Sequence, residues 1–289
     1  FLSEKERIGS NKRRAADFKS FSGYFIGYSL MIPVKTNEEI SKIAEAGKIL
    51  SRVMEAIVDE AKIGRTLKSL DRLAQTLIQE VGAKAAFLNY KPDGAKNPYR
   101  ASICASLNEV VVHGFPNETK LQSGDVLKLD FGVLCNGFYA DAATTILIGR
   151  TSAEARLLRE ATRKALERSI KKCRAGNTLG DIGFEIEKTA KKFGFKVVRG
   201  LTGHGIGREL HEEPTIYNFG AKGKGSKLKP GMVLAIEPML SAGTDEIIQL
   251  PDESWATKDG SLSAHFEHTV AITSGQPDVL TTDICRFVN

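Results

Sequence analysis

Residues 126–149, VLKLDFGVLCNGFYADAATTILIG, are two apolar runs joined by Asn136-Gly137. Asn-Gly is a strong signal for a two-residue hairpin turn, because both central residues must take positive φ. Such a turn sets the register. Cys135 faces Phe138; counting back, Asp130 faces Ala143 and Gly132 faces Asp141. The two aspartates then project from one face as diagonal neighbours, about 7–8 Å apart at the backbone. On a face otherwise rich in Val, Leu and Phe, two unpaired carboxylates repel and lose hydration. A bound cation relieves both problems. The alternative is a wet face whose acids are merely solvated.

Working outward, two helices precede the hairpin. Thr36-x-x-Glu39 is a capping box, followed at helical spacing by Ile40, Ile43, Ala44, Leu50, Val53, Met54 and Ile57, with Gly64 as the stop. Leu70, Leu73, Ala74, Leu77, Ile78 and Val81 mark a second helix, ended by Gly82. After the hairpin the order repeats. Thr151-x-x-Glu154 reads as another capping box, opening a helix to about Arg174, and Gly176 stops it. A fourth helix runs from about Thr178 to Phe193, with Gly194 after it. The junctions match as well: Gly64-Arg65-Thr66-Leu67 against Gly176-Asn177-Thr178-Leu179. Strand-like segments KVVRGL (196–201), MVLAIEPML (232–240) and HFEHTVAIT (265–273) complete the pattern. Paired helices followed by antiparallel strands, used twice, predict an α+β fold of two similar halves around a shared centre.

The second half supplies further chemistry. Glu237 stands in the apolar run MVLAIEPML, where alternation groups it with Val233 and Ala235; Pro238 marks an edge or strand end. Glu267 shares a strand face with Thr269 and Ala271. A buried Glu is rare unless salt-bridged or metal-bound, and each of these reads either way. His204 lies in TGHGIG (202–207), where glycines allow close approach; alone it reads as a turn residue. A phosphate cradle is discounted, because the lysine and spacing of that motif are missing. His211 follows without any H-E-x-x-H pattern. His113 ends VVVH before a turn and alone reads as a loop histidine. Taken together, two Asp, two Glu and one His form a mainly oxygen donor set that suits two divalent cations such as Mn²⁺, Fe²⁺ or Co²⁺. Two further histidines are then free for proton transfer and oxyanion binding.

Composition excludes other classes. The chain has 289 residues, 42% hydrophobic and 26% charged, the profile of a globular protein rather than a disordered or fibrous one. No run approaches the 18 or so apolar residues of a membrane span. Net charge is +6, of which +3 falls in residues 1–30 (six Lys/Arg against three Asp/Glu), so the remainder gives little basis for DNA binding. Cys104, Cys135, Cys173 and Cys285 form no C-x-x-C pair and are too sparse for a disulfide scaffold. They read as reduced thiols of a cytoplasmic protein. Residues 1–30 read as an N-terminal extension, with a targeting segment and an interaction arm as alternatives, and residues 31–289 as one catalytic domain. Lys222, Lys224, Lys227 and Lys229 form a basic loop, either simply solvated or facing the anionic RNA of a ribosome.

These residues resemble the methionine aminopeptidases, type I. The resemblance covers about 31–289 and rests on the order and spacing of SLNEVVVHG (106–114), LDFGV (129–133), YADAA (139–143), GHGIG (203–207), IEPM (236–239) and FEHT (266–269). It implies the pita-bread fold, two pseudo-symmetric halves whose curved antiparallel sheet cradles the site, with helices on the outer face. It implies Asp130, Asp141, His204, Glu237 and Glu267 as ligands of two divalent metal ions, with Co, Mn, Fe(II), Zn and Ni as the ions such donors accept. It implies His113 and His211 as substrate-contacting catalytic histidines and Glu237 as proton shuttle. It also implies Phe87, Tyr90, Cys104 and Trp255 as a methionine pocket, each of which reads equally as core packing. The 33 residues from His204 to Glu237 leave no room for the type II insertion, so the resemblance is to the short bacterial form. The implied substrates are nascent polypeptide N-termini with a small second residue, and the implied state is a monomer. Two readings compete: a pita-bread dipeptidase cutting before proline, for which thirty residues are too few to supply the usual extra domain, and a non-catalytic binding protein of the same fold, which would be expected to lose ligands.

Overall fold

The computed structural model describes residues 32–91 and 96–281. The reading of residues 1–30, and Cys285, lie outside them. Helix α1 spans Asn37–Glu60 and begins at the capping box read from the sequence: the Glu39 N–H donates to the Thr36 hydroxyl (3.2 Å) and the Thr36 N–H to the Glu39 carboxylate (2.8 Å). Helix α2, Leu67–Glu80, is capped by Thr66. Helix α3, Ala153–Ile170, is capped by Ser152, whose hydroxyl accepts from Ala155 N–H. The expected cap was Thr151, one residue earlier. Both residues are good caps, and the preceding turn decides between them: Gly149 has φ 61° and the Arg150 N–H is tied to the Ser123 hydroxyl. The same helix also stops at Ile170, short of the expected Arg174. Helix α4 spans Leu179–Lys192, with Asp181 reaching back to Thr178. Gly64, Gly82, Gly176 and Gly194 follow the four helices at φ between 72° and 91°, a left-handed conformation that side chains resist.

The hairpin is β2 (Val126–Cys135) and β3 (Phe138–Leu147), preceded by β1 (Cys104–Leu107). Its register is the one predicted: Cys135 opposite Phe138, Asp130 opposite Ala143, Gly132 opposite Asp141. β2 also pairs with β1 and with the short strand Lys84–Ala85. Its odd-numbered side chains, Leu127, Leu129, Phe131 and Val133, enter a buried cluster with Leu50, Met54 and Ile57 of α1 and Leu70, Ala74 and Ile78 of α2. Period-two alternation therefore turns Lys128, Asp130 and Gly132 away from the helices. The acids do not share a face with the Val, Leu and Phe side chains, as the sequence reading supposed. They share it with Lys128 and with Cys104 and Thr145 of the neighbouring strands.

The second half is built the same way. β4 (Thr202–Gly205), β5 (Glu212–Tyr217), β6 (Val233–Ile236) and β7 (His268–Ala271) form a five-stranded sheet with Asp278–Val279, in the order Asp278–Val279, β7, β6, β4, β5. Leu158, Ala161 and Ala165 of α3 and Ile182, Ile186 and Ala190 of α4 pack on Leu234, Ile236, Phe266 and Val270. The repeat extends to detail. The cap threonine of the second helix in each half makes an isolated antiparallel bridge to a lysine, Thr66 to Lys120 and Thr178 to Lys227. The architecture is α+β, with helices outside and antiparallel sheets lining the centre. Among the described residues, no helix is long and apolar enough to cross a membrane.

Candidate metal centre

Two of the predicted strands are interrupted where the chemistry lies. MVLAIEPML divides into β6 and Met239–Ser241, and HFEHTVAIT into Ser263–His265 and β7. β6 and β7 belong to the five-stranded sheet; Met239–Ser241 and Ser263–His265 belong to a separate three-stranded one. Glu237 and Glu267 thus occupy the points where the chain passes between sheets. Glu237 is not a strand residue grouped with Val233 and Ala235, nor Glu267 one grouped with Thr269 and Ala271. Freed from a ladder, both carboxylates can turn toward the hairpin.

The halves are stitched together at this point. The Asp141 N–H donates to the Thr269 hydroxyl (2.9 Å), which donates to the Asp141 carbonyl (2.8 Å). The His265 N–H donates to the Thr145 hydroxyl (2.9 Å), which donates to the His265 carbonyl (2.6 Å). Between them, the Glu267 N–H donates to the Ala143 carbonyl (2.9 Å).

His204 sits on β4 between two glycines that are required by close packing of protein on protein. A Cβ at Gly203 would lie 2.4 Å from the Ala235 carbonyl oxygen, and one at Gly205 2.1 Å from that of Glu213. The His204 Nδ1 lies 2.9 Å from the Gly205 carbonyl. Only a protonated Nδ1 can donate there, so Nε2 carries a free lone pair. That nitrogen stands 3.6 Å from Glu237 Oε1. Donor atoms of Asp141, His204 and Glu267 lie within 4.8 Å of one another.

The electrostatics are those of a cation site. Burial, reinforced by the Asp141 charge, holds the Asp130 carboxyl well above its ordinary range. Burial raises Asp141, and burial plus the neighbouring acids raises Glu237 and Glu267. Asp130 Oδ1 and Glu267 Oε1 are buried without a hydrogen-bond partner among the described residues. Crowded acids with orphaned oxygens, beside an imidazole presenting a lone pair, fit divalent metal ions. Burial, with the His211 charge, pushes His204 down to about 3, which keeps it neutral as a ligand must be.

The remaining histidines line the rim. The His211 ring stands edge-on to His204, with centroids 4.4 Å apart, and its Nδ1 is 2.6 Å from the Tyr90 hydroxyl. Its loop is fixed by Glu212, which accepts the Lys35 ammonium (2.5 Å) and the N–H groups of Arg208 (2.7 Å) and Glu209 (3.2 Å). His113 is exposed, at φ 61°, an uncommon conformation for a non-glycine residue and one that gathers at functional sites. A proton on His113 would disfavour one on His211 or His265. Of the expected pocket residues, Cys104 faces Asp130 across the ladder, Phe87 packs edge-on to Tyr99, and Trp255 pairs with Val112. Sequence reasoning passed over His265, the Lys35–Glu212 pair and the Tyr90–His211 bond.

A family model described as metallopeptidase family M24 matches residues 41–274. The chain is 43% identical over 258 residues to a methionine aminopeptidase of Aquifex aeolicus, covering 87% of this chain and 99% of that one. It is 40% identical to methionine aminopeptidase 1 of Bacillus subtilis, with the same coverage. The chain belongs to the methionine aminopeptidases of metallopeptidase family M24. The crystal structure of a methionine aminopeptidase from Thermotoga maritima superimposes on this M24 peptidase with a TM-score of 0.83 at 39% identity, covering 88% of this chain and all of that one. The prolidase of Pyrococcus horikoshii also aligns, with a TM-score of 0.68 at 21% identity over 64% of its own length. That likeness shows a shared fold alone. The pita-bread fold expected from the sequence is the fold of this M24 peptidase.

Proposed function

We propose that this enzyme removes the initiator methionine from nascent polypeptide N-termini with a small second residue, using two divalent ions held by Asp130, Asp141, His204, Glu237 and Glu267. The observation that carries the reading is the gathering of Asp141, His204 and Glu267, from both halves, within 4.8 Å. Ions bound there, drawn from Mn²⁺, Fe²⁺, Co²⁺, Zn²⁺ or Ni²⁺, would acidify water and polarise the scissile carbonyl. Burial raises the proton affinity of Glu237; with ions bound its carboxylate would be ionised, and would take a proton from the attacking water and return it to the leaving amine. The Tyr90 hydroxyl lies 2.6 Å from His211 Nδ1; donation to that nitrogen would leave the ring proton on Nε2, to be donated to the developing oxyanion. His113 contacts the scissile amide nitrogen. Phe87, Tyr90, Cys104 and Trp255 receive the flexible thioether.

The same reading takes residues 31–289 as the catalytic domain of a cytoplasmic monomer, with residues 1–30 as an extension. The exposed Lys222, Lys224, Lys227 and Lys229 would face ribosomal RNA. The test is methionine release from Met-Ala-Ser by metal-stripped protein given Mn²⁺, Fe²⁺ or Co²⁺ anaerobically. Metal-dependent release is expected. Silence with every ion in a folded sample, together with cleavage of an X-Pro dipeptide, overturns the reading.

A further inference from the structure

His265 is 1% exposed, and both ring nitrogens lack a hydrogen-bond partner within bonding distance among the described residues. Burying an imidazole without partners is costly, so its position needs a reason. Its Nε2 stands 3.6 Å from Glu237 Oε2. Glu237 is therefore bracketed, with His204 Nε2 3.6 Å from one oxygen and His265 Nε2 3.6 Å from the other.

The stitching between the halves explains how the ring comes to be there. Thr145 clasps the backbone of His265, and Thr269, four residues after His265, clasps the backbone of Asp141, itself four residues before Thr145. The two clasps are related by a local two-fold axis through Ala143 and Glu267. That axis places His265 where Asp141 stands in the other half. One half puts a carboxylate at this position; the other puts an imidazole that the five-ligand set does not use.

We propose that His265 is a positioning residue of the metal centre: with ions bound, its Nε2–H closes the 3.6 Å gap to Glu237 Oε2, donates to it and fixes which oxygen of that carboxylate turns toward the ions. The proposal rests on Glu237 being a metal ligand, as in the preceding section. Partners of this kind orient a ligand, and losing one weakens metal binding by about 10–100-fold. Because Glu237 also handles the proton, a carboxylate released by loss of His265 lowers kcat more than it raises KM.

The test is calorimetric titration of the metal-stripped full chain with Mn²⁺, for the wild type, His265→Leu and His265→Gln. Leu removes the donor at similar volume; Gln keeps an N–H. The expected result is a 10–100-fold weaker dissociation constant in one binding step for His265→Leu, largely restored by His265→Gln. Wild type that takes up no Mn²⁺ overturns the metal reading and this inference with it. Wild type that binds while His265→Leu binds equally well overturns this inference alone. A second readout does not depend on the leucine variant folding. Long-range proton–nitrogen correlation spectra of the Zn²⁺-loaded wild type, with the His265 signal assigned by its absence in His265→Gln, report which ring nitrogen holds the proton. A proton on Nε2 is expected, and a proton on Nδ1 with Nε2 bare contradicts the proposal.

Discussion

The two halves deliver their acids to the centre by different means. The first half carries Asp130 and Asp141 on one unbroken hairpin of two ten-residue strands, where ladder register sets their separation. The second half carries Glu237 and Glu267 at interruptions, where the chain leaves one sheet for another. A ladder aims short aspartates rigidly. A break gives the longer glutamates room to reach across, and leaves the orientation of their carboxylates to neighbouring groups rather than to ladder register. The same pair of helices and sheet thus produces a fixed wall and an adjustable one.

Substitutions can probe each wall. The largest effect is expected from Asp141→Asn, which keeps the hairpin but removes a charge from the metal cluster. Loss of several kcal/mol of transition-state stabilisation corresponds to a fall of about a thousandfold in kcat/KM. Near-normal turnover with full metal loading would show that the fixed wall is not the catalytic one.

Ion binding comes next. In the metal-free protein all four acids are held above their ordinary range, so the folded chain keeps protons that the unfolded chain has released. Their contribution to stability falls as pH rises from about 4 toward the folded values. Divalent ions replace those protons. At a hundredfold above the Kd at pH 8, Mn²⁺ adds about 2.7 kcal/mol, or roughly 5–11 °C in Tm, and the same concentration should add less at pH 5.5, where protons compete for the acids. Melting curves at both values check the sign, and equal gains contradict it.

The stitching gives a smaller effect. Thr269→Val leaves the Asp141 N–H unpaired, and Thr145→Val does the same to His265, each at a cost of about 1–3 kcal/mol. Comparable Tm losses are expected, and a loss confined to one variant would show that only one half leans on the other. The smallest effect belongs to the hairpin tip. Gly137 has φ 78° and open space around its missing Cβ, so Gly137→Ala costs about 1–2 kcal/mol of strain. It should leave kcat/KM unchanged; a change in turnover would mean that the tip aims the aspartates.

The hairpin was legible because a two-residue turn converts sequence spacing into register without further information. The helix pairs were legible through their periodicity and glycine stops. The interruptions at Glu237 and Glu267 were not. Apolar alternation continues through both, Pro238 marks only one, and the switch between sheets depends on pairings far along the chain. The cap of α3 was misplaced because Thr151 and Ser152 are equally able caps and a loop contact chooses. His265 was invisible as a site residue because its place is set by Thr145, 120 residues away. The Lys35–Glu212 pair, 177 residues apart, escaped for the same reason.

The most direct measurement is anomalous scattering from crystals of the full chain grown with Mn²⁺. The expected result is manganese signal among Asp141, His204 and Glu267, flanked by Asp130 and Glu237, so that one centre draws ligands from both halves. A well-ordered protein with manganese only elsewhere, or with none, would contradict the shared metal centre.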